Sequence, residues 1–77
     1  MSKSVFYHAG CPVCISAEQD ILNLVDASKV DVVNFAEDKS RFEEAERLGV
    51  KSVPALVTPN GNVLHINFGA SMDDVRG

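Results

Sequence analysis

The chain switches between two hydrophobic periods along its length. Residues 4–7 (Ser-Val-Phe-Tyr) are short, β-branched and aromatic, and read as a strand. Ala9-Gly10 interrupts it, and Pro12 suits the first position of a helix, where its missing N–H leaves no hydrogen bond unmade. Cys14, Ala17, Ile21, Leu24 and Val25 then recur at helical spacing, with Ser16, Gln19, Asp20 and Asn23 opposite them. That pattern predicts an amphipathic helix from residue 12 to about residue 27. Residues 30–35 (Val-Asp-Val-Val-Asn-Phe) read as a second strand. Residues 38–48 read as a shorter helix with Phe42, Ala45 and Leu48 on one face. Ser40 followed by Glu43 predicts a capping box at its start, and Gly49 a stop at its end. Residues 55–58 and 62–68 are strand-like and flank Pro59-Asn60-Gly61, where Asn-Gly favours the positive φ values of a tight hairpin turn. Residues 71–77 place Asp73 and Asp74 where a helix N-terminus favours acids.

The predicted order is β-α-β-α-β-β-(short α). Strand–helix–strand units of this spacing imply a parallel pair joined by a right-handed crossover and closed by an antiparallel hairpin. The expectation is one α/β domain over residues 1–77, a mixed four-stranded sheet with helices on its faces. Seventy-seven residues leave no room for a second domain, and 45% apolar with 23% charged residues is a globular balance. A net charge of −4 without a basic run argues against nucleic acid as a partner. No apolar stretch approaches the roughly 20 residues of a membrane span. The opening residues lack the apolar core of a secretory signal, so the expected compartment is the cytoplasm.

Only two cysteines occur, Cys11 and Cys14, with Pro12 and Val13 between them. A secreted disulfide framework would carry more, so the pair points to thiol–disulfide exchange or to metal binding. Its placement separates two tasks. Cys11 falls at the N-terminal edge of the first helix, where unpaired backbone N–H groups and the helix dipole both favour a thiolate. Cys14 lies one turn inside, on the face of Ala17 and Ile21, and is therefore turned toward the core. The residues describe an exposed nucleophile backed by a sheltered resolving thiol.

With these features together, the chain resembles the thioredoxin and glutaredoxin superfamily over nearly its whole length. Two regions carry the resemblance: Cys11-Pro12-Val13-Cys14 after the opening strand, and Gly49-Val50-Lys51-Ser52-Val53-Pro54-Ala55-Leu56-Val57 followed by Asn60-Gly61 and Gly69-Ala70-Ser71. The resemblance implies a thioredoxin-like fold and a disulfide oxidoreductase without a resident cofactor. It also implies a cis bond at Val53-Pro54 facing the cysteines, with Val53 docking extended client backbone. Clients would be disulfide-containing proteins, and electrons would come from a thioredoxin-reductase-type donor or from glutathione as co-substrate. The departures blur the branch. There is no Trp before Cys11, and Val13 replaces the aromatic residue usual in glutaredoxins. Gly69-Ala70 with Asp73-Asp74 resembles a displaced version of the glutathione-holding segment, which implies contacts at Gly69, Ala70 or Asp73. The last helix, which covers one sheet face in the family, is cut short here; apolar sheet residues left exposed would invite a homodimer or a client.

Other residues carry alternatives. His8, three positions before Cys11, could modulate the sulfur's ionisation or sit on the surface at a strand end. His65 alternates with Leu64 and Ile66 and is expected to face solvent. Phe6, Phe35, Phe42 and Phe68 read as core or sheet-face residues, and Tyr7 as a residue that borders the active-site loop and could line a substrate surface. Glu43, Glu44 and Glu46 with Arg41 and Arg47 read as a solvated helix face. A zinc site would have to recruit Cys11, Cys14, His8 and His65, an iron–sulfur cluster would be shared between two chains, and a binding-only protein would leave the thiols inert.

Overall fold

Alternation along the first strand decides the layering. In β1 (Ser4–His8) Phe6 and Tyr7 are both fully buried although consecutive side chains point to opposite faces. A strand buried on both sides must lie inside the sheet, and it does: in this computed structural model, which describes residues 3–76, the order is β2-β1-β3-β4. β2 (Val30–Asn34) runs parallel to β1, from Ser4 opposite Val30 to His8 opposite Asn34. β3 (Ser52–Val57) lies antiparallel on the other side, with Val5 opposite Val57 and Tyr7 opposite Ala55. β4 (Val63–Ser71) pairs antiparallel with β3 at the far edge.

Each face has its own core. Phe6 packs with Ala17 and Val30, joined at the margin by Ile21, Val25, Leu56 and Ile66. Tyr7 packs with Phe35, Phe42, Ala45, Val50, Val53, Ala55 and Cys14 among others. Phe35 stacks on Tyr7 and meets Phe42 edge-on, with centroids 5.6 and 5.3 Å apart. Burying a side chain such as Phe6 contributes about 1.5–3 kcal/mol, so these few rings matter in a domain with so thin a core. The expected core position of Phe68 lies outside the described side chains.

Three local expectations are corrected. The first helix, α1 (Pro12–Leu24), stops short of residue 27: Val25 turns extended, and the Asp26 carboxylate accepts the Ser28 N–H to start a separate 3₁₀ turn, Ala27–Lys29. The second, α2 (Phe42–Leu48), begins four residues late because Asp38 Oδ1 takes the Ser40 N–H and spends that stretch on a turn. No capping box forms at Ser40 and Glu43; Arg41 is the N-cap and offers no side-chain bond. The reciprocal pair occurs instead at α3 (Met72–Arg76), where Ser71 Oγ accepts the Asp74 N–H and Asp74 Oδ2 accepts the Ser71 N–H. As expected, Pro59-Asn60-Gly61 form the hairpin loop, closed between Thr58 and Asn62 with Gly61 at φ +89°. Gly49 ends α2 as expected, at φ +103°. Among the described residues no helix is long and apolar enough to cross a membrane.

Candidate active site

The end of β1 delivers the chain to α1 through Ala9 and Gly10, and Cys11 is the helix N-cap. Its backbone is extended, at φ −71° and ψ 160°, and its sulfur accepts the Cys14 N–H at 3.1 Å. That bond is the usual service of a capping side chain, performed here by a sulfur. Pro12 follows at the first helical position, exposed, with Val13 half-buried beside it. Both cysteines are free thiols, Cys11 half-buried and Cys14 wholly buried. Burial pushes the Cys14 thiol up; the Ala9 N–H directed at its sulfur offsets part of that, and a hydrogen bond with the Cys11 side chain adds to it.

The opposite wall comes from β3 and β4. The Val53-Pro54 bond is cis, and both residues are fully buried. Val53 stands opposite Ala70 and Ala55 opposite His65, so the pairing is irregular around Pro54: two steps along β3 are matched by five along β4. The extra residues carry Gly69 over the cysteines. A Cβ on Gly69 would lie 2.5 Å from Cys11 Sγ, 3.0 Å from the Val53 carbonyl oxygen and 3.4 Å from Cys14 Sγ. A cavity of about 390 Å³ opens beside Cys11, lined by Phe35, Lys39, Ala70 and Asp74 among others. Cys11, Pro12, Val13, Cys14, Val53, Pro54, Gly69 and Ala70 therefore converge on one end of the sheet.

His8 is not the surface residue of the second expectation. It is 97% buried rather than on the surface, since only 3% of it is exposed. Its ring nitrogens are engaged away from the Cys11 sulfur: Nδ1 accepts the Gly10 N–H at 3.1 Å, and Nε2 lies 3.2 Å from Glu18 Oε1. Burial holds its pKa below the ordinary histidine value, against the opposing pull of Glu18 and Glu37. Tyr7 does not line a substrate surface either. It is core, and its hydroxyl donates to Glu44 Oε2. His65 is exposed as expected, and its Nε2 accepts the Lys51 N–H at 3.1 Å. The zinc set Cys11, Cys14, His8 and His65 is not assembled; among the described residues no group of three or more His, Cys, Asp or Glu side chains gathers at ligating distance.

The acidic face of α2 is more than solvated surface. Arg41 reaches Asp31 of β2 at 2.7 Å and Glu44 at 2.9 Å, and Glu44 receives the Tyr7 hydroxyl from β1. The i, i+3 spacing of Arg41 and Glu44 was visible in the sequence. The third and fourth members, Asp31 and Tyr7, come from separate strands and carried no sequence signal.

A dithiol at a helix N-terminus facing a cis-proline strand defines the thioredoxin-like class. The solution NMR structure of a dimeric thioredoxin-like protein from Nitrosomonas europea is 59% identical in sequence, aligns over 99% of this chain and 96% of its own, and superposes with a TM-score of 0.85. The chain belongs to the thioredoxin-like proteins. No family model matches it, and no curated protein does.

Proposed function

We propose that this protein is a thiol–disulfide oxidoreductase working through the Cys11/Cys14 pair in the cytoplasm. The observation that carries the reading is the asymmetry of the pair, a half-buried Cys11 at the helix N-cap with a fully buried Cys14 one turn behind it. The Cys11 thiolate attacks one sulfur of a client disulfide. A Cys11–client S–S bond forms as the client S–S bond breaks, and the other client sulfur leaves as thiolate. Cys14 then attacks Cys11 Sγ, forming the internal disulfide and releasing the second client thiol, to which the Cys14 proton passes. Two electrons have moved from protein to client. A thioredoxin-reductase-type dithiol or two molecules of glutathione return them. The extended client segment runs past Cys11 beside Gly69-Ala70, which carry no bulky side chain, with the buried Val53-Pro54 bond behind them.

Equilibration in glutathione buffers tests this, with the thiol state read by alkylation and intact mass. The expected result is a reversible loss of two hydrogen atoms, two protons and two electrons, per chain with a defined midpoint. A chain that never forms the internal disulfide refutes the dithiol mechanism. We also infer a homodimer, because the 59% identical relative is described as dimeric.

A further inference from the structure

The link between His8 and the loop before Cys11 is unused by the chemistry above. Within the described residues His8 is the one buried polar or charged side chain of the core. It stacks on Phe6 with centroids 5.5 Å apart, which fixes the ring plane. Nδ1 accepts the N–H of Gly10, a residue at φ +78° immediately before the nucleophile. A ring nitrogen that accepts is unprotonated, so the proton sits on Nε2 and is donated to Glu18. Glu18 lies four residues after Cys14, one turn further along the helix that bears both thiols. One neutral ring thus ties three pieces together: the end of β1, the Gly10 backbone and α1.

We propose that His8 is a positioning residue for the dithiol, its neutral Nε2–H tautomer clamping the Ala9-Gly10 turn to α1 and so setting where Cys11 Sγ stands against Cys14 and Gly69. This rests on the oxidoreductase reading for its purpose but not for its test. Protonation of Nδ1 turns the acceptor into a donor facing the Gly10 N–H, and the clamp opens. The charged groups around the ring are Glu18 from α1 and Glu37 from the segment after β2, which favour protonation; Asp31, Asp38 and Arg41 line the same cleft. Burial opposes them and prevails, so the ring is neutral at pH 7 and the clamp is lost only on acidification.

The test compares the full-length wild type with His8→Asn and His8→Phe. Asn carries an acceptor oxygen near the Nδ1 position but does not titrate; Phe keeps the ring and its stacking on Phe6 but accepts nothing. The readouts are the rate of the first iodoacetamide adduct, at Cys11, from pH 5 to 8, and the redox midpoint of the pair. Below pH ~6.5 the wild-type rate should fall more steeply than the about tenfold per pH unit that loss of thiolate alone produces. His8→Asn, which keeps an acceptor for the Gly10 N–H but does not reach Glu18, should fall between wild type and His8→Phe at pH 7 and lose the extra steepness. His8→Phe should change the pH 7 rate by roughly fivefold, the value of one buried hydrogen bond, and shift the midpoint. A folded His8→Phe with a rate and midpoint within about twofold of wild type overturns the proposal. So does a His8→Asn with an undiminished acid profile, which decides the matter alone if His8→Phe does not fold. Iodoacetamide requires no disulfide exchange, so a wild type that forms no internal disulfide refutes the oxidoreductase function and leaves this comparison intact.

Discussion

Gly69 stands so close to Cys11 that a methyl group on its α-carbon would lie 2.5 Å from the cysteine sulfur. The two are 58 positions apart in sequence, and the irregular pairing of β4 with β3 around Pro54 brings them together. Replacing Gly69 with Ala must displace Cys11 Sγ or press on the Val53 carbonyl, 3.0 Å from the same point. A loss of about 1–3 kcal/mol is expected in denaturant unfolding, the usual cost of overpacking. Alkylation of Cys11 should slow alongside it; a Gly69→Ala variant with wild-type stability and wild-type alkylation would show that the glycine is dispensable.

Cys14 should stay silent toward reagents that modify Cys11. Its sulfur is buried, and burial raises its pKa, so at neutral pH it is a protonated thiol out of reach. Intact mass after brief iodoacetamide treatment should show one adduct, and a second only after denaturation. The sign of the accompanying stability effect follows from the raised folded-state pKa. The contribution is fully present below the ordinary thiol range, roughly pH 8.5, and is lost as pH rises through the folded value. Two adducts forming at equal rates in the native protein would contradict the division of labour between the thiols.

The hydroxyl of Tyr7 and the carboxylate of Glu44 join β1 to α2. Tyr7→Phe should cost about 1–2 kcal/mol, the value of a part-buried hydrogen bond to a charged acceptor. The Arg41 guanidinium, then the Tyr7 hydroxyl, hold the Glu44 carboxyl below the usual carboxylate range. Stability from this pair is therefore complete above the ordinary glutamate pKa, about 4.3, and disappears as pH falls through the lower folded value. Thermal melts from pH 7 down to 3 should show a smaller acid loss in Glu44→Gln than in the wild type. Coincident profiles would mean that the pair contributes nothing measurable.

A homodimer needs an apolar surface, and the Phe6 side of the sheet offers one. Leu64 stands opposite Leu56 and is 49% exposed, and Leu24 of α1, seven residues after buried Ala17 on the same helix face, is 84% exposed. Light scattering at tens of micromolar should give twice the chain mass for wild type and one chain mass for Leu64→Lys. Leu48→Lys, on α2 across the sheet, should remain dimeric and serves as the control. A wild type of single-chain mass would end the dimer reading; a dimeric Leu64→Lys would end only the choice of face.

Read by itself, the sequence determined whatever depends on near neighbours. The order of strands and helices, the Pro12 start and Gly49 stop, and the unequal placement of Cys11 and Cys14 all follow from local periodicity and backbone chemistry, which act over one or two turns. The pairing of Ser71 with Asp74 was equally local, yet Ser40 and Glu43 offered the same spacing. They differ in that the Ser40 N–H is already donated to Asp38, whereas the Ser71 N–H is left for Asp74. Tertiary structure alone decided the rest. It buried His8 beneath the Gly10 turn, sank Tyr7 into the core with its hydroxyl on Glu44, and carried Gly69 to the sulfurs. Each of these joins groups from different elements, whose approach is set by strand order, the irregular β3–β4 register and the packing of helices on the sheet. No spacing along the chain encodes such a distance, because it exists only after the sheet has closed.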